Sequence, residues 1–277
     1  MHSKIFFGYV IKNAMCLITL SWQPASKTRL IIAANRDEFY ARPALPLHHW
    51  PDPSILAGQD VQAGGTWLGI SKNRNPAASL NGVRMAALTN YRDTAHHRAD
   101  APSRGHITTS FLQGSMSAAA YLDMLSTTAT LYNPFNLILF DGQALMGFES
   151  RHVRAFALPS GISAVSNADF NTPWPKLVRL REDFEKSLAR TCDDNQLEQT
   201  LFNLLAHDLV ASDAELPQTG ISLSRERALS PAFIRAPGYG TRACSVLSVG
   251  EHAACFTERS FDANGLKGEV RERLSGF

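Results

Sequence analysis

Met15 and Cys16 stand together at the head of an apolar, alternating run, "MCLITLSW". A cysteine in that place has a specific chemical use. If translation starts at Met15 and that methionine is removed, Cys16 becomes N-terminal, and its own α-amine can serve as the base for its thiol. The ordinary alternative is a buried structural cysteine, packed like a small hydrophobe. On the thiol alone both readings stay open.

A second polar group follows. "AANRDEF" places Asn35, Arg36, Asp37 and Glu38 at the end of an apolar strand, and a charge run after a strand is normally a solvated turn. If the first two strands pair as an antiparallel hairpin, the end of the second returns beside the start of the first, and Asp37 and its neighbours come near Cys16. Arg36 could then lower the thiol pKa, and Asp37 could orient an ammonium-like donor. Two more strand ends are polar. "LTNYRD" holds Asn90 and Arg92, and "AVSNADFNTPWPK" holds Asn167. An asparagine amide suits an oxyanion, because it donates N–H groups that do not titrate. Asn167 reads equally as a turn residue ahead of a helix cap. Arg242, entering a strand in "APGYGTRACSV", is a candidate for a substrate carboxylate or for Cys16; the glycine spacing there is not that of a phosphate-binding loop.

The pairs His48-His49 and His96-His97 lie in polar stretches, and adjacent side chains diverge, so no metal site is expected from either. A single imidazole can still be an axial haem ligand. His96 and His97 are the haem candidates, with Cys16 as a possible thiolate ligand and Arg36, Arg92 or Arg242 for the propionates.

These groups need a scaffold. "MCLITLSW", "RLIIAANRD", "GGTWLGISK" and "RMAALTNYR" read as strands by period two. "PALPLHHWPDPS" is broken by proline and is expected to run over the surface, and "NRNPAASLNGV" reads as an exposed loop. A helical stretch spans roughly 107–131, strands return over "NLILFDG", "QALMGFES" and "HVRAFALPSGISAVSNA", and a second helical pair follows. Leu177, Leu180, Phe184 and Leu188 line the apolar face of its first member. Strands over "ACSVLSV", "AACFTERSF" and "GEVRERL" come last. Strands and helices segregate instead of alternating singly, which disfavours a parallel βαβ sheet and favours two stacked antiparallel sheets with helices outside both.

The 277 residues suit one large domain, placed at 15–277 after an extra segment or upstream start at 1–14 that is expected to add nothing to the core. A net charge of +2 gives no argument for a nucleic-acid partner, and no apolar run is long enough for an integral membrane helix. The four cysteines are dispersed without a CxxC pair, which points to a reducing, cytoplasmic compartment.

The ordered segments "MCLITLSW", "LIIAANRDEFYARP", "GGTWLGIS", "AALTNYRD", "YNPFNLIL", "SNADFNTPWPK", "GYGTRACSVL" and "FTERSF" resemble those of the NRDE family, whose eukaryotic members are called transport and Golgi organisation protein 2. The resemblance runs from about Met15 to the C-terminus. It implies the fold of an N-terminal nucleophile hydrolase, an α+β four-layer αββα sandwich. It is also similar in outline to the choloylglycine hydrolase and penicillin V acylase group. That likeness implies site positions at Cys16, Asn35, Asp37, Asn90, Asn167 and Arg242, with Ala34 standing where that group has arginine and Arg36 one step past the asparagine. The implied activities are hydrolysis or acyl transfer at an amide or acyl thioester with no required cofactor or, alternatively, haem trafficking or acyl-ligand carriage without turnover.

Overall fold

The computed structural model describes residues 15–51, 55–72, 82–191 and 193–275. The leader at 1–14, most of the expected loop at 73–83 and Cys192 lie outside them. β1 (Met15–Trp22) and β2 (Thr28–Phe39) form the expected hairpin. β3 (Ala44–His49), β4 (Leu56–Asp60), β5 (Leu68–Lys72) and β6 (Val83–Asn90) follow, then α1 (Gly105–Gln113) and α2 (Ala118–Ser126). Next come β7 (Phe135–Phe140), β8 (Leu145–Glu149), β9 (Arg154–Ala157) and β10 (Gly161–Val165). After these lie α3 (Pro175–Arg190), α4 (Asp194–Leu205) and a short α5 (Leu223–Ala228). The last strands are β11 (Arg235–Ala236), β12 (Tyr239–Gly250), β13 (Ala253–Asp262) and β14 (Gly265–Ser275).

The strands make two antiparallel sheets. One runs β10-β1-β2-β12-β13-β14 with β11 on β12, and the other runs β3 to β9 in chain order. Period-two alternation gives each sheet two apolar faces, and each face has a partner. Ile18, Leu20, Ile32 and Leu247 meet Leu56, Ile70, Met85 and Phe140 between the sheets. Leu17, Ala33 and Val246 face Leu177, Phe184 and Leu201 of α3 and α4. Ala86, Leu137 and Leu139 face Ile107, Phe111 and Leu122 of α1 and α2. The chain is an αββα sandwich.

Two local expectations change. The "ALPLHH" segment is β3, an edge strand with an irregular register between Leu45 and His48 that accommodates Pro46. Proline is tolerated there because an edge strand has an unpaired side. The "NRDE" run is no turn at all: β2 continues through Phe39, and Asn35, Arg36, Asp37 and Glu38 are all buried. The ladders to β1 and β12 hold it extended on both sides.

Candidate functional site

The register of the first hairpin decides the site. Cys16 pairs with Arg36, Met15 with Asp37, and Leu17 with Asn35. Paired residues share a face and neighbours alternate. Cys16, Arg36 and Glu38 therefore project between the sheets with Ile18 and Ala34, whereas Met15, Asn35 and Asp37 project toward the helices with Leu17 and Ala33. The expectation that Asp37 lies at the thiol is corrected: the two side chains leave the sheet on opposite faces.

On the inter-sheet side, Cys16, Arg36, Glu38, Asp60 and Asn90 line a cleft of about 660 Å³. Arg36 lies 3.6 Å from Glu38 and 3.5 Å from Asp60, and Arg42 donates to Asp60 at 2.7 Å. The two cations and two carboxylates tie β2 to the end of β4 and largely cancel. Arg36 thus does not leave Cys16 as a free thiolate. Burial pushes the thiol well above its ordinary range, and the opposing Arg36 charge is the smaller effect. Asn90 belongs to the cleft wall, but Asn167 stands behind it: its Nδ2 donates to the Asn90 carbonyl at 2.8 Å, and its own carbonyl accepts from Arg92 N. Ser166 Oγ donates to the Cys16 carbonyl at 2.9 Å. The residues that follow β10 therefore fix the head of β1 and the end of β6 together.

On the helix side, Asp37 accepts from Thr241 Oγ1 at 2.6 Å through one carboxylate oxygen, and its Oδ2 has no partner. Lys176, also buried with no hydrogen bond to Nζ, exerts the largest opposing charge effect on it. Burial pushes Asp37 up to about 6 and Lys176 down to about 8. Met15 itself packs on Leu229, Ile234 and Tyr239, with Arg92 Nη2 3.1 Å from its sulfur. Arg92 is paired to Glu226 at 2.8 Å and stacked on Trp174, so it faces this interior and not a propionate site in the cleft.

Asn35 and Arg242 are both tied to backbone carbonyls. Asn35 donates through Nδ2 to the carbonyls of Leu205 and Ala232, both at 2.8 Å, which joins the end of α4 to the segment after α5. It is a staple on the far face, away from the thiol. Asn35→Leu is expected to cost about 2–4 kcal/mol by leaving two buried carbonyls unpaired, read as a lower denaturant midpoint. The alkylation rate of Cys16, on the other face, should not change. Arg242 lines the cleft, but its Nε and Nη1 donate to the carbonyls of Phe261, Phe39, Tyr40 and Arg42. It clamps the β2–β3 turn onto the irregular register of β12. His97 lines the cleft, while His96 is exposed and bonded to Asp93.

The arrangement is a thiol at the start of a central strand, open to a cleft, with a half-satisfied carboxylate behind the residue that precedes it. The same segments match a known family: the model for Transport and Golgi organisation 2 covers residues 15–263. The chain belongs to the Transport and Golgi organisation 2 family. It is 34% identical over 270 residues to the Transport and Golgi organization protein 2 homolog of Bos taurus, covering 89% of this chain and 93% of that one. Identity to the Homo sapiens homolog is 34% over 272 residues, with the same coverage. The Drosophila melanogaster Transport and Golgi organization protein 2 is 32% identical over 117 residues, 40% of this chain and 39% of that one. The family match contains every residue of the two clusters around β1. No described helix is long and apolar enough to cross a membrane.

Sequence reasoning missed Lys176, Asp60 and Arg104. Lys176 had a signal: it stands four residues before Leu180 and eight before Phe184, on the buried stripe of α3. Asp60 and Arg104 had none, because they reach the cleft from the other sheet and from the head of α1.

Proposed function

We propose that this family member is a cysteine amidohydrolase or acyltransferase of the N-terminal nucleophile type, acting on an amide C–N or a thioester bond. The observation that carries the reading is the register of β1 on β2. Cys16 opens into the cleft, while the unpartnered Oδ2 of Asp37 stands opposite Met15. Start of translation at Met15 and loss of that residue would place an α-amine at the strand end beside Asp37, with the thiol already facing the substrate. The amine takes the thiol proton, and Sγ bonds to the substrate carbonyl carbon. Collapse of the tetrahedral adduct breaks the C–N bond, and the amine product leaves with that proton. Water or an acceptor amine then attacks the Cys16 thioester and restores the thiol. Asn90 in the cleft wall is the oxyanion donor in this reading, and Asn167 and Ser166 hold Asn90 and Cys16 in place. The unbridged Cys16, Cys244 and Cys255 fit a cytoplasmic protein.

The test is release of amine from a panel of N-acyl amides, and of thiol from acyl thioesters, by the chain beginning at Cys16. Cys16→Ser should abolish turnover while the far-UV circular dichroism stays unchanged, since a hydroxyl is a far poorer nucleophile at neutral pH. Activity that survives the replacement removes Cys16 from the mechanism. The carrier reading keeps one specific support, the His97 imidazole in the cleft wall. A saturable haemin Soret shift that disappears in His97→Ala, with no turnover, would favour it.

A further inference from the structure

Arg104, the residue ahead of α1, is half-buried in the cleft wall, and the hydrolase chemistry does not use its charge. Its Nη1 donates to the Pro134 carbonyl at 3.0 Å. Among the described residues its Nε and Nη2 have no hydrogen-bond partner, and no carboxylate lies within ion-pairing distance of it. The other arginines of the cleft are better matched. Arg36 and Arg42 share Glu38 and Asp60, Arg98 holds the carbonyls of Thr130 and Tyr132, and Arg242 is spread over four carbonyls. Burial is the largest effect on Arg104 and pulls its pKa down to about 10. A guanidinium withdrawn from water without a carboxylate weighs against folding, and here it stands at a cleft.

One carbonyl fixes where this charge stands. Pro134 O accepts from Tyr91 N as well as from Arg104 Nη1, and Tyr91 follows Asn90 at the end of β6. The guanidinium is thereby pinned beside the residue that the proposed chemistry uses for the oxyanion. Of the charges that act on it, Cys16 comes first and Glu38 second, both from the facing sheet. Stacked sheets are about 10 Å apart. A ligand with its carbonyl at Cys16 therefore reaches Arg104 with a group only a few bonds further on. With Nη1 occupied, the Nε and Nη2 edge remains, the fork that takes a carboxylate by two parallel hydrogen bonds.

We propose that Arg104 is a carboxylate-recognising specificity residue of the cleft, which selects acyl compounds that carry a carboxylate within a few bonds of the reacting carbonyl. This rests on the cleft being the ligand site with Cys16 in its wall, and it names the class of molecule that site takes. The amide or thioester carbonyl lies at Cys16, and the carboxylate lies on the Nε and Nη2 edge of Arg104. Its binding supplies the counter-charge that the folded chain withholds. A neutral analogue leaves the guanidinium unpaired and is disfavoured.

The test uses the full chain and two alkylating reagents of nearly equal size, iodoacetate and iodoacetamide, at constant ionic strength. Peptide-resolved mass spectrometry follows Cys16. The ratio of the two rates cancels any change in the thiol itself, because both reagents meet the same thiolate. The iodoacetate-to-iodoacetamide ratio at Cys16 is expected to exceed that of free glutathione by at least about tenfold. Arg104→Gln should bring the ratio to within about twofold of the glutathione value. Arg104→Lys, which keeps the charge and loses the fork, should fall between. A parent ratio equal to that of glutathione, or a raised ratio that survives Arg104→Gln, overturns the assignment. Should Arg104→Gln not fold, the parent ratio and Arg104→Lys decide. Labelling of Cys16 by neither reagent would instead count against the nucleophile reading. In that event butyrate, butyramide and inorganic phosphate are titrated against tryptophan fluorescence, because Trp67 lies in the cleft wall. Saturable binding of butyrate and not of butyramide, lost in Arg104→Gln, supports the assignment. No butyrate binding, binding indifferent to that replacement, or binding of phosphate alone overturns it.

Discussion

A chain that begins at Cys16 is expected to react with iodoacetamide at neutral pH at least about a hundredfold faster than the chain that retains Met15. In the chain with Met15 in place, the thiol is buried beside a guanidinium already held by Glu38 and Asp60, and desolvation dominates its titration. Removing Met15 opens the strand end to water and sets an ammonium next to the thiol. Each unit by which the thiol pKa falls multiplies the thiolate fraction tenfold, so a return of two units is enough. Asp37→Asn in the shortened chain should reduce the gain, because the new ammonium then loses its carboxylate. Rates within a factor of about two for the two forms, with both folded by circular dichroism, would make Cys16 a packing residue.

Replacing the interior pair together, Asp37→Asn with Lys176→Met, is expected to stabilise the chain at pH 7 by about 1–4 kcal/mol, because a buried pair exchanged for neutral groups of similar shape sheds its desolvation penalty. The direction follows from the two titrations. Asp37 is raised from 3.8 to about 6, so the folded chain binds its proton more tightly than the unfolded chain. That stability is present below about pH 4 and is lost as pH rises to about 6. Lys176 is lowered from 10.5 to about 8, so its stability is present above about pH 10.5 and is lost as pH falls to about 8. Between these windows both groups are charged and buried, and the pair weighs most against folding. Urea midpoints taken from pH 4 to 10 should show a trough at neutral pH in the parent, and the double variant should flatten it. A double variant less stable than the parent would show that the charges hold the fold together. The same variant should have no turnover when it begins at Cys16, since the site retains Asp37 at a cost in stability.

How far these residues were legible differs by kind. The hairpin of β1 and β2 was readable because alternation and a short turn are local, and so was the stacking of two antiparallel sheets, because strands and helices come in blocks. The buried strand through "NRDE" was not. Four polar residues in a row carry no apolar period, and only β1 and β12, hydrogen-bonded along both edges, make an extended buried path cheaper there than a turn. Pro46 likewise marked a break, and the open edge of the second sheet admitted it.

For the site, the sequence by itself determined which chemistries are on hand: a thiol at a strand head, a run of alternating charge and two asparagines at strand ends. It also placed Cys16 near Arg36 and Asp37, since a hairpin makes that proximity a matter of a few residues. Only the tertiary structure decided which of them face each other. A register fixed to the single residue puts Arg36 on the side of the thiol, and Asn35 and Asp37 on the side of the helices. A slip of one position would exchange the two sets. Lys176, Asp60 and Arg104 arrive at these faces from α3, β4 and the head of α1, separated from Cys16 by long stretches of chain. Their roles come from layer packing, which sets burial and therefore charge, and no local pattern of residues encodes it.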